Sequence, residues 1–246
     1  MNLLLVFRLL RVTLHLFSGG VTCALLFPWL GGAARDRHIG RWSRQLLGMC
    51  GVKLEQTPGA PPVLAGAMVI ANHVSWLDIF VINAVHPCRF VAKAEIRDWP
   101  MMGWLAEKAG TVFIARAHRR ELQQLFKQLV RRLHAGQRIA FFPEGTTALP
   151  GTLLPFHANL FEAAIDAGVP VQAFALSYVD HQGQAHKAVE YVGDTSFAWS
   201  IMAILGGSPV TARLRCLPAI ATEGAHRRDV AQASRRAIAA ALGLAV

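Results

Sequence analysis

A histidine and an aspartate lie close together in the segment NHVSWLD, which runs from Asn72 to Asp78. An imidazole such as that of His73 can take a proton from a hydroxyl near neutral pH. A carboxylate on its other ring nitrogen would fix the tautomer and stabilise the imidazolium, as the orienting residue of a catalytic triad does. On one continuous helix the two side chains would point apart. We therefore expect His73 to lie in a turn before the helix, where its ring can fold back to Asp78.

Other roles are open to residues of this segment. Ser75 and Asp78 have the spacing of a capping box, in which the serine caps a helix and the acid faces the first backbone amides. That role is compatible with the catalytic one, because a carboxylate has two oxygens. Ser75 is a poor candidate for a covalent nucleophile, since no G-x-S-x-G elbow surrounds it. A metal-dependent hydrolase with His73, Asp78 and His86 as ligands is a further alternative.

Arg116 follows an apolar run, Thr111 to Ile114, that is typical of a buried strand. Ligands of open α/β sheets bind at the carboxyl ends of the strands, so this arginine is placed to reach such a site. Its guanidinium matches phosphate oxygens in a bidentate way, which makes Arg116 a candidate phosphate clamp. The alternative is a basic surface that it shares with Arg119 and Arg120.

A third candidate is the segment FFPEGTT, from Phe141 to Thr147, where an apolar strand runs into a turn. Glu144 can accept hydrogen bonds from substrate hydroxyls, and Gly145 lets the backbone approach a ligand closely. Free amides and the hydroxyl of Thr146 can hold an anion. The simpler alternative is that Glu144 caps the turn that follows.

The elements that must position these residues follow an α/β pattern. Short apolar runs alternate with longer helical patterns after a polar, proline-rich linker around residues 56–62. The predicted strands are residues 67–71, 89–92, 111–114, 138–142, 169–177, 188–192 and 210–217. The predicted helices are residues 76–85, 119–134 and a terminal helix within 226–244, and the helical spacing of apolar side chains is clearest in the second.

The composition points to a membrane or another anionic surface. The chain has 246 residues, 53% apolar side chains and a formal net charge of +10, which is apolar and basic for a freely soluble domain. This balance suits anionic lipid or a phosphate-bearing substrate. Nucleic acid is not favoured as a partner, because the chain has no zinc-finger or RRM pattern. There is no Walker loop, and the four cysteines lack C-x-x-C spacing, so they are predicted to be reduced core residues.

The amino-terminal part of the chain has no formally charged residue from Val12 to Ala34. At about 1.5 Å per residue, a continuous helix of this length would cross roughly 30 Å of hydrocarbon. Gly19, Gly20 and Pro28 are predicted to break or kink it. A re-entrant or interfacial helical hairpin is therefore as good an interpretation as a span, and a cleaved signal peptide is a third. We assign residues 1–55 to a membrane-associated helical segment and residues 56–246 to an α/β domain.

These segments stand in one order between residues 68 and 177, and together they resemble the glycerolipid acyltransferase family, in particular the bacterial 1-acyl-sn-glycerol-3-phosphate acyltransferases. The resemblance implies a single α/β acyltransferase domain with a mixed, largely parallel sheet flanked by helices, preceded by a membrane-associated helical segment. It implies that His73 and Asp78 are the catalytic pair. It also implies five substrate-binding residues, which are Lys93, Arg116, Glu144, Gly145 and Thr146.

The resemblance also implies a reaction. His73 would deprotonate the free hydroxyl of 1-acylglycerol-3-phosphate, which attacks the thioester of acyl-CoA or acyl-carrier protein and gives phosphatidic acid. No acyl-enzyme, metal or cofactor is implied besides the acyl donor. The implied partners are the donor, a lysophospholipid acceptor and a membrane phospholipid surface, with the protein at the cytoplasmic face of the bacterial inner membrane.

Two positions depart from the family pattern. Thr147 stands where an arginine usually follows Glu-Gly-Thr, and His157 stands where a lysine is common. The headgroup of the acceptor is therefore open, and a lyso-ornithine lipid is the alternative acceptor. A non-catalytic lipid-binding membrane protein is the alternative outside enzymes, although such a protein needs no histidine-aspartate pair.

Overall fold

The structure is a computed structural model that describes residues 3–114 and 119–245, without the side chains of residues 119–121. The described residues form seven strands: β1 (Val52–Gln56), β2 (Met68–Ala71), β3 (Arg89–Lys93), β4 (Val112–Ile114), β5 (Ile139–Phe141), β6 (Val171–Val179) and β7 (Val210–Ile220). The α-helices are α1 (Leu3–Leu25), α2 (Gly32–Met49), α3 (Leu77–Val85), α4 (Met102–Lys108), α5 (Arg119–His134), α6 (Glu162–Asp166), α7 (Phe197–Gly206) and α8 (Arg227–Leu242).

All seven strands form one sheet in the order β1-β7-β6-β2-β5-β3-β4. The strands from β6 to β4 are parallel to one another, and β7 is antiparallel to β6 and parallel to β1. The predicted fold class, α/β with a mixed and largely parallel sheet, is therefore confirmed. Helices cover both faces, which explains why β2 in the middle of the sheet is apolar at every position and fully buried.

Two apolar clusters lie on opposite faces of the sheet because successive side chains of a strand point to opposite sides. In β2, Val69 and Ala71 join a cluster with residues of α1, α2, α3 and α7. Met68 and Ile70 join the other cluster, with residues of α5, α6 and α8. The turn after β2 therefore starts from a rigid, close-packed base.

Most predicted strands are present, but residues 188–192 are not a strand. Lys187–Val189 form one turn of 3-10 helix, and Val189 is fully buried. The apolar run reflects burial of one turn against the core. Strand β1 was not predicted; it is a five-residue strand at one edge of the sheet, with its charged Lys53 and Glu55 paired with each other. This strand crosses the assigned boundary between residues 55 and 56, and that division stays a prediction.

The amino-terminal segment is a helical hairpin. A 3-10 turn, Phe27–Trp29, joins α1 to α2, and Pro28 lies in its first turn. Of the residues predicted to break or kink this stretch, Pro28 lies in the turn after α1, whereas Gly19 and Gly20 do not break the helix, since α1 is continuous through both. A Cβ atom on Gly19 would lie 2.6 Å from Nε1 of Trp42 on α2. The lack of a side chain at Gly19 therefore allows α1 and α2 to approach each other closely.

The four cysteines are free and buried, as predicted. They are Cys23 on α1, Cys50 after α2, Cys88 before β3 and Cys216 on β7. Burial raises the pKa of both Cys50 and Cys88 to about 12. These thiols therefore stay protonated and act as small apolar groups of the core.

Candidate active site

The turn between β2 and α3 brings His73 and Asp78 together. The Nδ1 atom of His73 lies 2.7 Å from Oδ2 of Asp78. His73 precedes the helix and Asp78 lies in its first turn, so the ring folds back over the helix start as predicted. Nδ1 is the nitrogen that faces the carboxylate, which leaves Nε2 as the nitrogen that can accept a proton.

Asp78 is fully buried and accepts four hydrogen bonds. Besides the His73 contact, its Oδ2 accepts from the backbone amides of Val74 at 2.7 Å and Ser75 at 3.0 Å. Its Oδ1 accepts from the hydroxyl of Tyr178 at 2.6 Å. A buried carboxylate with this many donors is held in one orientation, because rotation would break several bonds at once.

One of the two contacts of the predicted capping box is present. Asp78 does reach back to the amide of Ser75, but the hydroxyl of Ser75 is buried and has no hydrogen-bond partner among the described residues. It therefore neither caps the helix nor bonds to His73. Ser75 lacks the contact to a base that a covalent nucleophile needs.

The backbone and ring of His73 are also fixed. Its amide donates to Oε1 of Glu144 at 2.7 Å, and its carbonyl accepts from the amide of Ala148 at 2.8 Å. The imidazole stacks on Phe142, with ring centroids 3.9 Å apart. The side chain keeps 18% of its surface exposed. A base held in this way needs little reorganisation when a substrate arrives.

Glu144 links two backbone segments, because its two oxygens accept hydrogen bonds from the amides of His73 and Leu154. Its second oxygen, Oε2, accepts from the amide of Leu154 at 2.8 Å. Burial raises the pKa of this carboxyl above its ordinary value, and the hydrogen bonds from His73 and Leu154 oppose part of that rise. The structure thus gives Glu144 a positioning role that sequence reasoning missed. Its predicted contact with substrate hydroxyls stays a prediction.

The remaining predicted substrate-binding residues lie near the same sheet edge or outside the described part. Gly145 has a φ of +70° and is exposed, as is Thr146. Lys93 ends β3 and is exposed, at the carboxyl edge where β2 and β5 also end. Arg116 lies outside the described residues. Gly145, Thr146 and Lys93 therefore lie near the carboxyl edge of the sheet, where ligands of α/β proteins bind. Their direct contacts with a ligand stay predictions.

Backbone amides beside Ser75 or Gly145 are obvious candidates for an oxyanion hole. In the structure, however, the Ser75 amide donates to Asp78, and the Gly145 amide donates to the carbonyl of Phe142 at 3.1 Å. Neither amide is available to a tetrahedral intermediate in this conformation. The described residues also contain no group of three potential metal ligands, so His73, Asp78 and His86 do not form the site that a metal-dependent hydrolase would need.

A cavity of about 370 Å³ opens beside His73. Its walls are mostly aromatic and aliphatic, and they come from the amino-terminal hairpin as well as from the α/β layers. Representative wall residues are Gly19, Trp42, Trp76, Phe80, Phe90 and Leu105. No sequence pattern indicates this cavity, because its walls come from helices and strands that are far apart in the chain.

Thr147 does not take over the phosphate contact that an arginine at this position would make. Its hydroxyl donates a hydrogen bond to the carbonyl of Tyr191. This bond ties the turn after β5 to the segment before α7. The side chain is therefore engaged inside the protein, and contacts to an acceptor headgroup must come from other groups.

Comparisons with known proteins agree with this geometry. A family model described as acyltransferase matches residues 54–177, which include His73, Asp78 and Glu144. A 1-acyl-sn-glycerol-3-phosphate acyltransferase of Neisseria meningitidis serogroup B is 40% identical over 201 residues, covering 80% of this chain and 78% of that protein. A lyso-ornithine lipid O-acyltransferase of Pseudomonas aeruginosa is 38% identical over 173 residues, covering 70% of this chain and 66% of that protein.

A solved structure has the same fold. The crystal structure of the 1-acyl-sn-glycerophosphate acyltransferase from Thermotoga maritima matches with a TM-score of 0.70, covering 99% of this chain and 97% of that one. The two sequences are 21% identical, so this likeness concerns the fold alone. The family model and the relatives carry the assignment, and the chain belongs to the acyltransferase family.

Proposed function

We propose that the protein transfers a fatty acyl group from a thioester donor, acyl-CoA or acyl-carrier protein, to the free hydroxyl of 1-acylglycerol-3-phosphate. The product is phosphatidic acid. The observation that carries this proposal is the 2.7 Å contact between His73 and Asp78, with His73 in the wall of a mostly apolar cavity. A base beside an apolar chamber suits an alcohol acceptor and a long acyl chain.

The reaction needs one proton carrier and no acyl-enzyme. Nε2 of His73 takes the proton of the acceptor hydroxyl as its oxygen attacks the thioester carbonyl. The tetrahedral intermediate collapses, the carbon–sulfur bond breaks, and the leaving thiolate takes the proton from the imidazolium. Asp78 stabilises the imidazolium between these steps, because its carboxylate stays hydrogen-bonded to Nδ1.

The apolar cavity is the proposed site for an acyl chain. Aromatic walls such as Phe80 and Phe90 offer apolar area without unpaired polar groups. Each methylene that leaves water for such a wall contributes about 0.8 kcal/mol. His73 is part of the cavity wall, so an acyl chain bound there would lie close to the proposed base.

The identity of the acceptor headgroup depends on the basic and polar side chains near the site and on the relatives. Lys93 and Thr146 are exposed near the site and can contact a phosphate, and Arg116 is the proposed clamp. The relatives include enzymes named for both candidate acceptors, lysophosphatidate and lyso-ornithine lipid. The identity over the longer aligned stretch favours the phosphate-bearing acceptor, and no contact in the site favours the other.

A transfer assay tests the proposal. Purified protein would be given labelled acyl-CoA or acyl-carrier protein, with lysophosphatidate in one set of reactions and lyso-ornithine lipid in another. We expect labelled phosphatidic acid from lysophosphatidate and little product from lyso-ornithine lipid. Product from lyso-ornithine lipid alone would keep the chemistry and replace the acceptor. Lack of product from either acceptor would contradict the proposal.

We also propose that the protein lies on a membrane, at the cytoplasmic face of the bacterial inner membrane. Among the described residues, α1 is long and apolar enough to cross a bilayer. However, its buried residues recur every three or four positions and form one stripe: Val12, His15, Gly19 and Cys23. Through this stripe α1 packs against α2, α4 and α7. We therefore infer that α1 lies in the plane of one leaflet, with its opposite face in lipid.

The lipid-facing surface of α1 continues onto α7. Exposed apolar residues of α1 include Leu10 and Phe17, and α7 adds Trp199 and Met202. A guanidinium nitrogen of Arg8 on α1 donates to the carbonyl of Leu205 at 2.7 Å, which joins the two helices. Exposed apolar side chains on two helices that contact each other are typical of a membrane-facing surface.

A paired charge substitution tests this orientation. Leu10 and Phe17 are 56% and 68% exposed and lie seven positions apart on α1. We expect Leu10→Glu with Phe17→Glu to weaken binding to phosphatidylglycerol vesicles about 100-fold, because burying two such side chains contributes about 3 kcal/mol or more. The measurement is co-sedimentation with vesicles at several lipid concentrations.

The matched control adds the same two charges elsewhere. Gln123 and Gln124 are exposed on α5. Gln123→Glu with Gln124→Glu should weaken vesicle binding only through the change of two units in net charge, without any loss of apolar contact with the lipid. Equal binding by the α1 variant and this control would show that α1 does not enter the lipid.

A further inference from the structure

Strand β6 holds the residues on both sides of His73. On one side, the side chain of Asn72 pairs with the backbone of Leu176. Its Nδ2 donates to the Leu176 carbonyl at 2.9 Å, and its Oδ1 accepts from the Leu176 amide at 2.8 Å. This reciprocal pair is buried and fixes the end of β2 to β6.

Two residues further along β6, Tyr178 contacts the other side of the site. Its hydroxyl donates to Oδ1 of Asp78 at 2.6 Å, and the tyrosine is 1% exposed. Burial, and secondarily the nearby carboxylate, raises the pKa of Tyr178 well above its usual range. The hydroxyl therefore keeps its proton at any pH where the enzyme would work, and it is always available as a donor.

We propose that Tyr178 is a positioning residue for the acyl transfer inferred above: its hydroxyl holds Asp78 so that Oδ2 faces Nδ1 of His73. This inference rests on the proposed function of the pair. The tyrosine touches neither substrate nor His73, so it acts through Asp78. No sequence pattern singles out Tyr178, which lies one hundred positions from Asp78 in the chain.

The physical argument concerns orientation. Without the hydroxyl, Oδ1 would be buried with no donor, and Asp78 would be held through Oδ2 alone, so the carboxylate could turn away from His73. A carboxylate that has turned away would stabilise the imidazolium less, so the imidazolium would lose its proton more easily. Among the described residues, the titratable groups facing Asp78 are His73, Tyr178 and Glu144. Of these, only Tyr178 donates to Oδ1.

The test is Tyr178→Phe in the full-length protein. We expect kcat to fall about 10-fold to 100-fold, while KM for the lysolipid changes less than about twofold, because the hydroxyl is remote from the acceptor. We also expect the acid limb of the pH profile of kcat/KM to move to lower pH. The sign follows from the lost contact: an imidazolium that has lost its carboxylate partner gives up its proton at lower pH, so the base becomes active there.

Two comparisons separate positioning from packing. Phe174→Leu alters another fully buried aromatic residue of β6, whose side chain has no group that can hydrogen-bond to Asp78, so it should lower the melting temperature without moving the pH limb. In an Asp78→Asn background, Tyr178→Phe should cause little further loss of kcat, because residues that act through one another are not additive.

The outcomes distinguish this inference from the function on which it rests. Wild-type kcat and pH profile in Tyr178→Phe, with an inactive His73→Ala variant, would overturn the inference alone. An unmoved pH limb with a kcat loss equal to that of Phe174→Leu would also overturn it. Activity that survives His73→Ala would overturn the proposed function and this inference together.

Discussion

Replacement of His73 by alanine is expected to lower kcat for acyl transfer by about 100-fold to 10,000-fold, which is the usual contribution of a positioned general base. The ring is the group that can accept the acceptor's proton, through its Nε2. The variant should fold, because the backbone bonds to Glu144 and Ala148 do not involve the side chain. The measurement is kcat with saturating lysophosphatidate and donor, together with the circular dichroism spectrum.

A histidine outside the site provides the control. His181 is exposed in the turn after β6, and His181→Ala should keep wild-type kcat. If His73→Ala folds and retains most of the transfer activity, His73 is not the base. In that case another group must take the proton, and the proposed mechanism fails.

Substitution of Asp78 by asparagine is expected to lower both activity and stability. The carboxylate serves four donors, whereas an asparagine has one acceptor oxygen and an amino group that repels donors. Each buried donor left without an acceptor costs about 1–3 kcal/mol. The amino group can also donate to Nδ1 of His73 and force the wrong tautomer, so we expect kcat to fall about 1,000-fold or more.

Thermal unfolding and kcat measured on the same samples test this second expectation. Asp180 is a suitable control, because it accepts from the amides of Gln182 and Gln184 in an exposed turn. Asp180→Asn should cost little stability and no activity. A stable and active Asp78→Asn variant would mean that neither the charge nor the hydrogen bonds of Asp78 matter to the site.

The contact between His73 and Asp78 was predictable because it depends on local geometry. A short apolar run before His73 and a helical pattern after it place the ring in a turn, and a turn of that kind allows contact with Asp78. The helix α5 was predictable for a similar reason, since its apolar side chains repeat with helical spacing and a glycine follows it. Both predictions use only neighbours in the sequence.

The supporting contacts were not predictable in this way. Tyr178 lies in β6 just beyond the predicted end of that strand, and only the pairing of β6 with β2 brings it to Asp78. Glu144 was interpreted as a ligand for substrate, but its oxygens bind the amides of His73 and Leu154. Such contacts depend on the order of strands in the sheet, and the order is decided by tertiary packing.

Residues 188–192 show the opposite error, in which an apolar pattern suggested a strand where none formed. The pattern reported burial correctly, since Val189 is buried, but burial does not distinguish a strand from one helical turn. For β1 the error was the reverse, since a strand formed where none was predicted. Its exposed charged residues are compatible with an edge strand, and nothing nearby in the sequence reveals its partner β7.

The contact between Gly19 and Trp42 changes how the amino-terminal hairpin should be regarded. In the sequence this hairpin resembles a separate membrane anchor, yet both residues line the cavity whose wall also includes His73. Trimming the hairpin to obtain a water-soluble enzyme would therefore dismantle one wall of the chamber. Under the proposed function, attachment to lipid and binding of the acyl chain use the same helices, so protein engineering cannot treat them as separate modules.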